Sequence, residues 1–113
     1  MYHLRPMSEQ ALFILASLTR RELHGYGIAR DVEKLSGGRV KLTAGTLYGA
    51  LNRLAADGLI TQSREQVVDG RRRRYYRLSG AGRAVLAEEA ARLRSTADAL
   101  GARSATGHRP RPA

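Results

Sequence analysis

Apolar residues first recur at helical spacing in "SEQALFILASLT", residues 8–19, where Ala11, Leu12, Leu15 and Leu18 fall on one side of the turn. Ser8 can cap the first turn and Glu9 stands near the positive end of the helix dipole, so the segment predicts a first helix. After a linker, "RREL", the run "HGYGIARDVEKLSGG" repeats Ile28, Val32 and Leu35 at i, i+4 and i+7. Arg30, Asp31, Glu33 and Lys34 take its other face, and Gly37 with Gly38 supplies the stop of a second helix. A third follows "RVKL": Thr43 caps "AGTLYGALNRLAADG", Leu47, Leu51 and Leu54 form a narrow apolar stripe, and Gly58 ends it. The pattern then changes to β-rich runs, "LITQSREQVV" and "RRYYRL". Asp69 and Gly70 lie between them, a pair suited to the positive φ of a tight hairpin. From Gly80 the helical period returns, with Leu86, Leu93 and Leu100 seven residues apart and Ala90 and Ala97 between them, the seam of a helix that wants a partner.

Helix, helix, helix, hairpin is the order of a winged helix-turn-helix, so the expected fold is mainly α with a small β-hairpin as the wing. Residues 1–79 are expected to form the winged domain and 80–101 a C-terminal dimerisation helix. Residues 102–113, rich in Gly, Pro, Ser and Arg and without apolar period, are expected to be a disordered basic tail. If the leucine stripe of the third helix faces the core, a 100° step per residue turns Gly45, Thr46, Gly49, Asn52, Arg53 and Ala56 outward, with Tyr48 at the flank. Such a small, polar face lets a backbone approach a groove closely and leaves Thr46, Asn52 and Arg53 free for phosphates or base edges.

Charge sharpens that picture. The 113 residues carry 20 Lys+Arg against 10 Asp+Glu, a formal charge of +10, which points to a polyanion, most commonly nucleic acid. Within residues 64–77 six arginines face only Glu65 and Asp69. Strand alternation puts Tyr76 and Leu78 inward, Arg74 at the boundary, and Arg71, Arg72 and Arg73 nearest the turn, where phosphates or a minor groove can be met. There is no cysteine, and His3, His24 and His108 are too far apart to form a ligand pair, so no metal or cofactor is expected. No nucleophile-base pair or phosphate loop suggests an enzyme. The longest apolar run, "ALFILASL", is far too short to span a bilayer, which points to a cytoplasmic, nucleoid-associated protein and no membrane partner. An RNA-binding or protein-interaction module with the same basic wing is the competing reading.

The pieces "HGY" (24–26), "GTLYGALNRL" (45–54), "GLI" (58–60) and "GRRRRYYRLSGAG" (70–82), in this order and spacing, resemble the PadR family of bacterial transcriptional regulators over roughly residues 8–86. The resemblance implies a homodimer joined by its C-terminal helix with help from the first, and an inverted-repeat operator in double-stranded DNA. It further implies a repressor released by a small-molecule effector. It assigns Thr43, Gly45, Thr46 and Tyr48 to the major groove with Lys41 just ahead of it, and Arg71, Arg72 and Arg73 to the wing. His24, Gly25 and Tyr26 match the family's entry to the second helix, where Tyr26 is expected to pack in the core. Leu12, Leu86, Ala90, Leu93, Ala97 and Leu100 would carry the dimer. Gly49 and Ala55 depart from the family's frequent proline and glutamate, and no tryptophan stands in the last helix.

Overall fold

The computed structural model describes residues 7–107. In chain order the elements are α1 (Glu9–Ser17), β1 (Leu23–His24), α2 (Gly25–Leu35), α3 (Ala44–Ala56), β2 (Ile60–Val68), β3 (Arg71–Leu78) and α4 (Gly80–Gly107). The local reasons match those in the sequence. The Ser8 hydroxyl accepts from the Ala11 amide at 3.1 Å and the Thr43 hydroxyl from the Thr46 amide at 3.2 Å, so two of the three short helices begin on side-chain caps. Gly38 (φ 86°) and Gly58 (φ 76°) turn the chain out of α2 and α3 in the left-handed conformation that a side chain would resist.

Ile14, Leu15 and Leu18 from the first segment, Ile28 and Val32 from α2, and Leu47, Leu51 and Leu54 from α3 meet in one core closed by Val40, Leu59, Ile60, Tyr76 and Val85. Two expected members are absent. Leu35 is half exposed, because the chain reverses at Gly37 and Gly38 and brings Val40 into the core instead, its amide held by the Ser36 hydroxyl. Tyr26, expected in the core, is 66% exposed: it lies in the first turn of α2, on the side away from Ile28 and Val32.

The wing is a three-stranded antiparallel sheet in the order β1-β3-β2. The segment read as a bare linker contains β1, whose Leu23 pairs with Tyr76 and His24 with Tyr75. Two residues are too few to show a period of two, so nothing in the sequence marks them as strand. Asp69 (φ 52°) and Gly70 (φ 75°) make the hairpin turn between the paired Val68 and Arg71, as their identities predict. Ser63 is a bulge in β2, skipped between the Gln62–Tyr76 and Arg64–Tyr75 pairs. The Glu22 carboxylate, one residue before β1, accepts from the Ser63 hydroxyl and the Arg64 guanidinium and ties the two outer strands together at that bulge.

Ser79 joins wing to last helix. Its amide donates to the Leu59 carbonyl at 3.1 Å, its hydroxyl donates to the Gly58 carbonyl at 2.7 Å, and the same oxygen accepts from the Gly82 amide at 2.9 Å. Beyond it, α4 packs Val85 and Leu86 on the core, then leaves it, and every residue of 91–105 is exposed. Residues 102–107, assigned to a disordered tail, are helical; Ala99, Ala102 and Ala105 sustain the turn and no proline intervenes before Pro110. Residues 108–113 of that expected tail lie outside the described residues.

Candidate nucleic-acid interface

The outer face of α3 is open, as its pattern implies. Gly45 and Gly49 have nothing within 4 Å of where a Cβ would stand, and Thr46, Tyr48, Asn52 and Arg53 are exposed. Thr43 is committed locally: besides capping, its hydroxyl donates to that of Thr46 at 3.0 Å, which fixes the rotamers of both at the helix start. Lys41 is exposed in the loop just ahead.

The wing divides its arginines by strand face. Arg72 and Arg74 lie beside Glu65, at 3.9 and 3.7 Å from its carboxylate, and Arg64 is held by Glu22 while its guanidinium lies 3.9 Å from the centre of the Tyr75 ring. Arg71 and Arg73 have no carboxylate partner among the described residues. They share the other face with Tyr75, whose ring stacks on His24 at 5.3 Å between centroids and whose hydroxyl donates to Gln66 at 3.0 Å. Arg73 is half-buried there rather than fully exposed, and it differs in this from Arg71 and Arg72. Burial first, and then the positive charge of Arg73, push the His24 imidazole below its usual pKa.

α3 and the wing meet at the start of α2. A notch of about 280 Å³ is lined by His24, Gly25 and Tyr26, by Tyr48 of α3, and by the four consecutive arginines of β3. Gly25 makes the meeting possible: a Cβ there would fall 2.5 Å from the Tyr48 hydroxyl oxygen. The expected contact residues of α3 and the wing are thus brought together through Tyr48. His24 and Tyr26 were missed as surface residues; the available signal was two aromatic rings within reach of a basic cluster, in the "HGY" motif itself.

The residues expected at a dimer interface are not all alike. Leu93, Ala97 and Leu100 are exposed along α4, whereas Leu86 and Ala90 are half-buried, Leu86 against this chain's own core. Leu12 is half-buried on α1 without joining that core.

A family model described as the transcriptional regulator PadR-like family matches residues 14–88, a stretch that begins inside α1 and ends inside α4. The chain belongs to this family. Among similar proteins, Transcriptional regulator Rv3488 of Mycobacterium tuberculosis is 43% identical over 96 residues, 84% of this chain and 86% of that protein. A PadR family transcription regulator from Clostridium difficile superposes with a TM-score of 0.71 at 25% identity, covering 83% of this chain and 96% of that one. Bacillus subtilis PadR, solved in complex with operator DNA, superposes with a TM-score of 0.64 at 26% identity, covering 74% of this chain and 47% of that one. The PadR-like match takes in α3, the whole wing and the Gly25 contact, and it makes this chain a transcriptional regulator. No helix among the described residues is long and apolar enough to cross a membrane.

Proposed function

We propose that this PadR-like chain is a sequence-specific DNA-binding repressor that acts in the cytoplasm as a homodimer on a palindromic operator. The single observation that carries the reading is the junction of an open, small-residued α3 face with a cationic wing across one notch. In this reading α3 enters the major groove with Thr46, Tyr48, Asn52 and Arg53 at base edges or phosphates, and Lys41 just ahead of it on the backbone. Arg71, Arg72 and Arg73 reach the flanking backbone or minor groove. The relative solved with operator DNA supports the mode of binding, at an identity that leaves the operator sequence open to this chain's own residues.

The homodimer reading is supported by α4, whose residues 91–105 are all exposed among the described residues. Two-fold symmetry then sets two recognition helices about 34–36 Å apart on successive major-groove segments, which is why a palindrome is expected. A small-molecule effector would release the operator by binding more tightly to a dimer in which that separation has changed.

The test is selection of duplexes from a random pool by the full chain, followed by titration over a range of salt concentrations. An inverted repeat should emerge and bind at least about 1,000-fold more tightly than unrelated duplex, with affinity falling steeply as salt rises. Equal affinity for every duplex, or preference for structured RNA, overturns the reading.

A further inference from the structure

We propose that the notch between the first turn of α2, Tyr48 and β3 is the seat of one DNA backbone phosphate, with the hydroxyls of Tyr26 and Tyr48 and the guanidinium of Arg73 as its ligands. The inference rests on the DNA-binding reading above and adds a third contact element, the start of α2, to α3 and the wing.

Three observations carry it. The first is an unspent supply of donors. Neither the Tyr26 nor the Tyr48 hydroxyl has a hydrogen-bond partner among the described residues, although both rings border the notch. Tyr26 is 66% exposed and Tyr48 45% exposed, a large amount of aromatic surface left in water beside four arginines.

The second is the distribution of acids. Glu65 draws on Arg72 and Arg74, and Glu22 draws on Arg64, while Arg71 and Arg73, which line the notch with Arg72 and Arg74, have no carboxylate partner among the described residues. No acid lines the notch, so the charge of Arg71 and Arg73 is left for a ligand to neutralise. Guanidinium and phenol donors around a small open hollow suit a tetrahedral oxyanion, and charge-assisted hydrogen bonds of this kind are the stronger sort.

The third is placement. A body that puts one helix into the major groove and a hairpin beside it must straddle the sugar-phosphate strand that separates adjacent grooves. The notch lies between those two elements, so that strand is what passes over it. Tyr26 cannot drift from this position freely: its ring stands edge-on to His24 at 6.4 Å between centroids and takes the Arg30 guanidinium at 5.7 Å. Gly25 leaves the room that Tyr48 occupies, since a Cβ there would stand 2.5 Å from its hydroxyl oxygen. Such a seat specifies no base. It sets the register in which α3 meets the bases, the usual role of phosphate contacts.

The experiment uses the full chain and the duplex it selects from a random pool. Affinities are measured for the unaltered chain and for Tyr26→Phe on the all-phosphate duplex, and on a set of duplexes in which single phosphates are replaced by neutral methylphosphonate. Tyr26→Phe should weaken binding about tenfold. At one phosphate in each half-site, methylphosphonate should weaken the unaltered chain at least about tenfold and the variant much less, since the variant has already lost that contact. Tyr48→Phe should be blind to the same phosphate. Unfolding midpoints should coincide, since both hydroxyls lack a partner in the free protein. A selected duplex bound equally well by Tyr26→Phe overturns the seat and leaves the DNA reading intact, as do identical methylphosphonate penalties in both proteins at every position. A chain that selects no duplex at all overturns both.

Discussion

Single residues here are constrained by backbone, not only by side chains. A Cβ on Gly82 would fall 2.0 Å from the Leu59 carbonyl oxygen and 3.0 Å from its carbon, and neither atom can step aside, because the same carbonyl accepts from the Ser79 amide. Gly82→Ala should therefore cost about 3 kcal/mol in urea unfolding, at the upper end of overpacking penalties. Gly49 is its opposite: exposed, helical and with open space where the Cβ would stand. Gly49→Ala should stabilise the chain by roughly 0.5–1 kcal/mol through helix propensity, yet weaken operator binding if the outer face of α3 enters a groove. A variant more stable in urea and equally tight on its operator would move α3 out of contact. Among the arginines, Arg71→Ala and Arg73→Ala should each lower the slope of log affinity against log salt by about 1. Glu65→Gln should do the reverse and tighten all duplex binding, since it releases Arg72 and Arg74 from their shared carboxylate. Unchanged salt slopes in all three would take the wing off the DNA.

Two carboxylates clip neighbouring elements together. Glu22 binds the bulge of β2 to the start of β1, and hydrogen bonds from Ser63 and then Arg64 hold its carboxyl below the usual glutamate value of 4.5. Glu9 binds the start of α1 to the loop ahead of α3, where the hydrogen bond from Arg39, at 2.9 Å, lowers it likewise. A carboxyl with a lowered folded pKa contributes stability that is present above about 4.5 and is lost as pH falls through the lowered value. Thermal midpoints measured at pH 7 and pH 3 should thus fall less in Glu22→Gln than in the unaltered chain; equal falls would show that the clip does nothing for stability. Elements whose cause is local were legible in the sequence: the cap at Thr43, the left-handed stops at Gly38 and Gly58, and the Asp69-Gly70 turn all stand where their residue types place them. Elements whose cause is distant were not. The two residues of β1 are a strand only because Tyr75 and Tyr76 pair with them, and Leu35 leaves the core only because Val40 arrives. The same holds at the site. Helical and strand periods placed the outward face of α3 and the arginines of the wing, but the clearance over Gly25 that joins them through Tyr48 is a tertiary fact.

At the scale of the whole molecule, charge and apolar surface are kept apart. From Gly80 to Gly107 there are four arginines against three acids, so α4 is nearly neutral, and the excess of the +10 total lies elsewhere, heavily on the wing. The exposed Leu93 and Leu100 belong to that neutral helix. Fully burying a leucine is worth about 1.5–3 kcal/mol, and with Leu93 45% and Leu100 64% exposed about half of that remains for each, counted twice in a two-fold seam, to set against the entropy lost on pairing. The separation makes the two associations respond differently to salt. Pairing through α4 should be nearly indifferent to it, since that helix carries almost no net charge to be screened. Operator binding should weaken steeply over the same range. Leu93→Asp tests the seam directly. If α4 pairs as proposed, the substitution would place a carboxylate in an apolar seam, and should convert a particle of twice 12.4 kDa by light scattering into one of 12.4 kDa. The variant should keep the helical signal of the parent, because Leu93 packs on nothing in its own chain's core. Its binding to the selected palindrome should fall to that of a single half-site, with the salt slope roughly halved, since half the phosphate contacts are gone. A Leu93→Asp chain that remains a dimer would put the interface on another surface, the half-buried Leu12 side of α1 being the first to examine.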